Sequence, residues 1–393
     1  MKSYLFIISL INITLLYSQS NLALFSNNAN SNYQFTTIKN LDANPVNNQG
    51  YTGTCWSFST LSFFESELLR QKKENINLSE MFIVRNAYLG KAVNFLRMNG
   101  KFNFSQGGAF HDIPWVINKY GIVPEEFYQG LAYTEKNYHN HSKLEDTLST
   151  VVNSLLTDLQ ENNELPANWI NEFEDVVDSY LGEVPTNTEE FTFTYNNKEY
   201  TPKSFADELG LDMSDYICLT SYLHKPFYEK FILEVPDNWA LEPCYNIPLE
   251  QLMSVMEKSI MDGYSFAWGA DVSEEGFSFK NGLAINPTIF SDTVFEKPSE
   301  EKWVTPKERQ IAYDRQTTTD DHGMHITGIC KDQNNNKYFI VKNSWGDGNY
   351  CEGYLYASFA YARYKTMNIM IHKDALSNVF DSSISLRKKL NLK

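Results

Sequence analysis

Residues 49–59 read Gln49-Gly50-Tyr51-Thr52-Gly53-Thr54-Cys55-Trp56-Ser57-Phe58-Ser59, a turn with two glycines followed by a cysteine. Apolar residues after the turn recur at helical spacing, so the pattern predicts a helix whose first turn contains Cys55. The positive end of a helix dipole favours a thiolate there. The amide of Gln49 lies close enough in sequence to donate a hydrogen bond beside the sulfur, as an oxyanion hole requires. The plainer alternative is a buried structural cysteine that opens a core helix.

A second stretch can supply the base that such a nucleophile needs. The polar residues 332–336 predict a turn between two strand-like segments. Residues equidistant from a hairpin turn lie side by side, which places His322 beside Asn343. An imidazole can deprotonate a thiol while an Asn amide fixes the orientation of the ring. Trp345 can shield the His–Asn hydrogen bond from water, or it is simply a core residue.

These segments resemble the active-site motifs of the papain-like cysteine peptidases. The motifs Q-G-x-x-G-x-C-W-x-F-S, H-G-M-x-x-T-G and N-S-W-G occur here in the order found in that family. The resemblance implies a catalytic set of Cys55, His322, Asn343 and Gln49, with supporting roles for Trp56 and Trp345. In the family pattern the base stands six residues before the glycine of T-G, which selects His322 over His325.

The pair Gly107-Gly108 stands between the first two motifs, where the family offers its backbone to an extended substrate. Glycine permits that close approach, although a Gly-Gly pair on its own is more often a turn. Two positions that form a disulfide in the lysosomal cathepsins lack cysteine here, namely Thr52 and the residues just before Gly107. This pattern resembles the bleomycin hydrolase and aminopeptidase C branch.

The resemblance implies an α+β, two-lobed fold with a large insertion. The helical lobe carries the nucleophile and a β-barrel-like lobe carries the His and Asn. The expected parts are a signal peptide at 1–20, a loose lead-in at 21–40, the helical lobe at 41–129, the insertion at 130–245, the β lobe at 246–376 and a C-terminal tail at 377–393.

The first 20 residues carry the marks of a signal peptide, with a lysine at position 2, an apolar run and a small-residue cleavage region. The run is short for a bilayer span, so we expect a soluble protein exported to the periplasm or secreted. The net charge of −16 argues against nucleic acid and anionic membranes as partners. We expect peptide substrates and, from the acidic insertion, a possible homo-oligomer.

We expect no cofactor and no metal. His322 and His325 are three residues apart, but no cluster of carboxylates or cysteines supports a metal site at strand spacing. The remaining cysteines, Cys218, Cys244, Cys330 and Cys351, allow at most two disulfides. Their spacing does not decide the pairing, and we expect free buried thiols.

The predicted activity is hydrolysis of peptide bonds through an acyl-thioester on Cys55. The branch implies an aminopeptidase acting on oligopeptides; the alternatives are a papain-like endopeptidase and a non-catalytic peptidase-like binding protein. An aminopeptidase needs one end of its groove blocked and an anion for the substrate ammonium. In the branch the chain's own C-terminus provides both. Here the tail is basic, and only the carboxylate of Lys393 suits the ammonium, so a helix lying on the surface is the alternative.

Overall fold

The computed structural model describes residues 25–71, 75–132, 138–184, 190–291, 293–381 and 384–392. The predicted signal peptide and Lys393 lie outside these residues. Within the described ranges, no helix combines the length and apolar character needed to cross a membrane.

The helices are α1 (Cys55–Arg70), α2 (Glu80–Arg97), α3 (Asp112–Tyr120), α4 (Ser142–Asn162), α5 (Trp169–Leu181), α6 (Pro202–Leu209), α7 (Leu249–Met261), α8 (Pro306–Asp314), α9 (Phe359–Lys365) and α10 (Leu386–Lys389). The strands are β1 (Thr36–Asn40), β2 (Phe193–Tyr195), β3 (Lys198–Tyr200), β4 (Tyr216–Thr220), β5 (Lys230–Ile232), β6 (Pro243–Asn246), β7 (Phe266–Ala270), β8 (Phe277–Ser278), β9 (Leu283–Ala284), β10 (His322–Lys331), β11 (Lys337–Lys342), β12 (Tyr354–Ser358), β13 (Thr366–His372), β14 (Phe380–Asp381) and β15 (Ile384–Ser385).

Helix α1 begins at Cys55, as its sequence pattern predicts. Leu61, Phe64 and Leu68 on this helix are fully buried, and burial of each such side chain stabilises the fold by roughly 1.5–3 kcal/mol. The next helix, α2, is capped by Ser79, whose hydroxyl accepts a hydrogen bond from the backbone N–H of Phe82 at 3.0 Å. Together α1 and α2 form the centre of the helical lobe.

A single sheet forms the β lobe. In the described part of the chain it has eleven strands, in the order β5-β6-β4-β13-β7-β10-β11-β12-β9-β8, with β1 paired to β10. Neighbours are antiparallel except for β4–β6 and β9–β12. Helix α1 packs against β10, so the first residue of α1 meets the lobe that carries His322. The prediction of an α+β fold is confirmed.

The predicted insertion, 130–245, is shared between the two lobes. Its helices α4 and α5 pack with α2, and their apolar residues join the same core cluster as those of α1. Its strands β4, β5 and β6 extend the sheet through pairing of β4 with β13. The physical reason is the apolar composition of β4, all of whose residues are buried.

Two segments are more ordered than their sequence suggests. The lead-in, expected to be loose, buries Tyr33 and Phe35 and pairs β1 with β10. The region 280–320, which belongs to the predicted β lobe, contains the helix α8; this helix begins with a capping box between Thr305 and Glu308 and a proline at its first turn.

The expectation that all four non-catalytic cysteines are free is wrong. Cys218 and Cys244 form a disulfide across the neighbouring strands β4 and β6, with their Cα atoms 4.6 Å apart. Cys330 is a free, fully buried thiol, and the Cys351 thiol donates to the carbonyl of Asn27 at 3.1 Å. The pairing follows from strand adjacency, which the spacing of the cysteines does not reveal.

The described part of the C-terminal tail docks on the β lobe. Strands β14 and β15 pair, and α10 follows with Leu386 and Leu390 buried in the core of that lobe. Arg387 forms an ion pair with Asp374. The tail therefore resembles the predicted surface helix more than a free segment, and two leucines anchor it.

Candidate active site

Cys55 and His322 line one cavity of about 230 Å³ at the junction of the two lobes. Cys55 is the first residue of α1, and His322 is the first residue of β10. The strand approaches the helix closely at Gly323, where a Cβ would lie 2.7 Å from Ser59 Oγ and 3.4 Å from the carbonyl oxygen of Cys55. A larger residue at that position would push the imidazole and the thiol apart.

The imidazole of His322 is held by Asn343. His322 Nε2 lies 2.7 Å from Asn343 Oδ1, which also accepts the backbone N–H of Ser344 at 2.8 Å. Since Oδ1 can only accept, Nε2 carries the proton and Nδ1 keeps its lone pair. The ring of Trp345 lies 4.5 Å from the His322 ring, centroid to centroid, and covers it on one side.

The predicted hairpin exists, but its register differs. Strand β10 pairs with β11 such that His325 faces Lys342, and a bulge shifts the pairing beyond Ile326. His322 itself faces Ala270 of β7 on the other side. Asn343 follows directly after β11, and its side chain reaches His322 although the two are not cross-strand partners. Counting residues from the turn cannot detect the bulge.

His325 occupies a different environment from His322. It is fully buried, and its Nδ1 lies 3.0 Å from the hydroxyl of Ser62, two turns along α1 from Cys55. It does not line the catalytic cavity. The placement of the two rings fits the preference for His322 as the base.

Gln49 lies in the turn before Cys55, with its amide engaged on both sides. Its Nε2 donates to the carbonyl of Thr52 at 2.7 Å, and its Oε1 accepts the hydroxyl of Ser344 at 2.6 Å. One N–H of the amide thus stabilises the turn and the second remains for another acceptor. The bond from Ser344 links this turn to the residue after Asn343.

The backbone around Gly107 is fixed from beneath. The ammonium of Lys91, itself buried, donates to the carbonyls of Ser105 at 3.1 Å and Gly107 at 2.5 Å. The indole N–H of Trp56 donates to the carbonyl of Gln106 at 3.0 Å. These bonds hold the Gly107-Gly108 segment at the wall of the cavity.

Both glycines of that segment are required by close neighbours. A Cβ on Gly108 would lie 2.7 Å from the indole of Trp56, and one on Gly107 would collide with the carboxylate of Asp237. Trp56 thus supports the segment by packing as well as by its hydrogen bond.

Burial controls the charge state of the catalytic pair. It raises the pKa of the Cys55 thiol to about 12; a backbone hydrogen bond from Gly323 offsets part of this, and the charges of Asp320 and Asp237 add to it. Burial also lowers the pKa of His322 to about 4, against the effect of Asn343. For each group alone, burial disfavours the charged form. Transfer of the proton from Sγ to Nδ1 creates both charges together, so each then stabilises the other.

Three aspartates also line the cavity, and the sequence motifs do not include them: Asp237, Asp320 and Asp321. Asp320 and Asp321 directly precede His322 in the sequence, and this adjacency could have predicted that they lie near the cavity. Asp237 has no such signal, because it belongs to the predicted insertion. Among the described residues, no group of three or more His, Cys, Asp or Glu side chains is arranged to hold a metal ion.

Comparison with known proteins supports the motif-based interpretation. The chain is 24% identical over 378 residues to aminopeptidase C of Streptococcus thermophilus, covering 86% of this chain and 82% of that protein. It is 26% identical over 363 residues to bleomycin hydrolase of Gallus gallus, covering 80% and 77%.

Similarity extends to a solved structure and to a family model. PepW of Lactobacillus rhamnosis HN001 superposes with a TM-score of 0.70 at 20% identity, over 87% of this chain and 82% of that one, so the two share a fold. The model of the Peptidase C1-like family matches residues 11–389. The match spans nearly the whole chain and includes the cavity with Cys55 and His322, and the protein therefore belongs to the Peptidase C1-like family.

Proposed function

We propose that this protein is a cysteine aminopeptidase that removes N-terminal residues from oligopeptides through an acyl-thioester on Cys55. The observation that carries the proposal is the shared cavity of Cys55 and His322, with His322 Nε2 held 2.7 Å from Asn343 Oδ1. The names of the relatives, aminopeptidase C among them, support the same activity.

The geometry suits a two-step acyl transfer. His322 Nδ1 takes the proton of Cys55, and the sulfur attacks the carbonyl carbon of the scissile bond. The remaining amide N–H of Gln49 and the backbone at the start of α1 stabilise the negative oxygen that forms. His322 then gives its proton to the leaving amine as the C–N bond breaks. In the second step His322 deprotonates a water molecule, which attacks the thioester carbon and releases the N-terminal residue and the free thiol.

The shape of the cavity favours an exopeptidase over an endopeptidase. Its volume of about 230 Å³ is below the roughly 300 Å³ at which sites for drug-sized ligands begin. The carboxylate of Asp237 lies against Gly107, where an extended substrate would otherwise continue. With Asp237 at this point, we infer that the groove has room for few residues before the scissile bond.

The test is a peptide library presented with free and with acetylated N-termini, and mass spectrometry of the products. We expect stepwise loss of N-terminal residues from free peptides only, and no turnover by Cys55→Ser. Internal cleavage of both sets at equal rates would establish an endopeptidase instead. A protein that an epoxide probe labels at Cys55, but that turns over neither set, would be the non-catalytic alternative.

We also propose that the protein is exported, on the signal-peptide pattern of residues 1–20. A disulfide between Cys218 and Cys244 suits an oxidising compartment. Sequencing of the mature N-terminus tests this proposal: a start near residue 21 supports export, and a start at residue 1 contradicts it.

The acidic helices α4 and α5 support a further proposal, that the protein forms a homo-oligomer. Ile170 on α5 is 39% exposed, although most large apolar side chains are buried. Sedimentation at micromolar concentration should show a species larger than 45.4 kDa. A single species of monomer mass would refute the proposal.

A further inference from the structure

An aminopeptidase needs an anion that binds the free α-ammonium of its substrate. The described tail does not provide one, because none of its residues lines the catalytic cavity and its leucines pack on the β lobe. We propose that the carboxylates of Asp237 and Asp320 bind this ammonium. The inference rests on the proposed aminopeptidase activity and assigns its specificity to two residues outside the catalytic motifs.

Asp237 is held at the cavity by a loop, residues 233–242, that hydrogen bonds brace. The side chain of Asn238 bridges the loop internally, donating to the carbonyls of Leu233 at 3.2 Å and Glu242 at 3.0 Å. The next residue, Trp239, is buried in the helical lobe and donates its indole N–H to Asp112 Oδ2 at 2.6 Å. Asp237 therefore projects toward Gly107 from a loop that is fastened on both sides.

Asp320 has an unsatisfied carboxylate at the same cavity. No hydrogen bond or ion pair joins it to any other residue in the described part of the chain, whereas Asp321 accepts the backbone N–H of Val272 at 2.8 Å. Asp237 has one weak bond, from Asn103 at 3.3 Å. Both carboxylates are partly buried, so they lose part of their hydration without gaining strong hydrogen bonds in return. A substrate ammonium, with three N–H donors, satisfies both groups at once.

The location of the two carboxylates agrees with the reach of a substrate. In an N-terminal residue, the α-nitrogen lies ~2.5 Å from the carbonyl carbon, and that carbon must approach the sulfur to about 3–3.5 Å. With a further ~3 Å for the hydrogen bond, the anion must lie within roughly 8 Å of the sulfur. Asp237 and Asp320 line the same cavity of about 230 Å³ as Cys55, which is the placement that this reach requires.

The charge of the cavity wall selects for the same ligand. No lysine or arginine is among the described residues that line it, and three aspartates are. Lys91 lies behind the Gly107-Gly108 segment, and its ammonium donates hydrogen bonds to backbone carbonyls. The charged side chains on the cavity wall are all negative, although Lys91 behind the wall partly offsets the charge of Asp237. An acetylated N-terminus brings no charge to balance them.

The experiment combines protein and substrate changes. Full-length mature wild type, Asp237→Asn and Asp320→Asn are assayed on a fluorogenic dipeptide and on its des-amino analogue. Titration with an epoxide probe counts competent active sites, so that rates refer to folded enzyme only. Glu242→Gln is the matched control, since it removes one negative charge from the same loop at an exposed position outside the cavity.

We expect wild type and Glu242→Gln to prefer the free dipeptide. Each cavity variant should lose about 10- to 100-fold in kcat/KM on that substrate, as expected for a charged hydrogen bond. Its rate on the des-amino analogue should not fall, because removing a negative charge near Cys55 favours the thiolate. If both Asp237→Asn and Asp320→Asn keep the wild-type preference for the free dipeptide, the proposed ammonium site is refuted but the aminopeptidase proposal is not. If wild type itself shows no preference for a free N-terminus, the aminopeptidase proposal fails as well.

Discussion

Replacement of Asn343 by alanine tests how much the catalytic pair depends on a fixed imidazole. In the structure one short hydrogen bond, 2.7 Å from His322 Nε2 to Asn343 Oδ1, sets both the tautomer and the orientation of the ring. Asn343→Ala removes the acceptor while Gly323 and Trp345 keep the backbone and one face of the ring in place. The imidazole then gains freedom to rotate and to carry its proton on Nδ1, the atom that must accept the proton of Cys55.

The magnitude follows from the charge that the bond supports. When His322 accepts the proton of Cys55, the bond to Asn343 becomes a hydrogen bond to a charged group. Such bonds contribute about 1.5–3 kcal/mol, which corresponds to a loss of roughly 10- to 150-fold in kcat. His322 and Asn343 are both buried, so bulk water does not readily replace the lost acceptor.

The assay measures two rates on the same preparations. One is kcat on a dipeptide with a free N-terminus, and the other is alkylation of Cys55 by iodoacetamide, which needs the thiolate but no substrate. Both should fall together in Asn343→Ala. Asn343→Asp, which keeps an acceptor and adds a negative charge, should raise the pKa of His322 above about 4 and keep more of the alkylation rate.

The control is Asn334→Ala, at an exposed position in the turn between β10 and β11. It should match wild type in both rates. An alkylation rate for Asn343→Ala equal to that of wild type would refute the reasoning, because it would show that the thiolate forms without an oriented imidazole.

Three further predictions follow from the placement of other residues. His322→Ala should abolish turnover, whereas His325→Ala should keep turnover within a few-fold of wild type. His325→Ala should also lower the free energy of unfolding, measured by urea denaturation, by about 1–3 kcal/mol because it loses a buried hydrogen bond. The reverse pattern of turnover would make His325 the base. Removal of residues 386–393, which include two buried leucines, should lower the free energy of unfolding by ~3–6 kcal/mol and leave the preference for free N-termini intact. A gain of activity on acetylated peptides would instead show that the tail closes the groove. Burial, with the charges of Asp237 and Asp321, raises the pKa of Asp320 to about 7, so its carboxylate is neutral below that pH. We therefore expect kcat/KM on peptides with free N-termini to fall as pH drops through about 7. A profile that is flat from pH 5 to 8 would contradict this prediction.

The meeting of the candidate catalytic residues could be predicted from the sequence because their signals are local. A turn, a cysteine and a helical apolar pattern lie within twenty residues and place Cys55 at the start of α1. His322 and Asn343 flank one short turn, so the chain has little freedom to separate them. The bulge in β10 changes the register of the hairpin, but the side chains of His322 and Asn343 still meet. The predicted contact therefore holds although the predicted register does not.

The tertiary structure decided everything that depends on packing between distant segments. Cys218 meets Cys244 because two strands of the predicted insertion join the sheet. Asp237 reaches the catalytic cavity because Trp239 is buried in the helical lobe, and no periodicity or spacing near Asp237 records that contact. Sequence patterns encode what a segment buries, while the partner that covers it is chosen by the global packing of the chain. The sequence alone therefore predicted the candidate nucleophile and base, and only the fold determined which carboxylates line the same cavity.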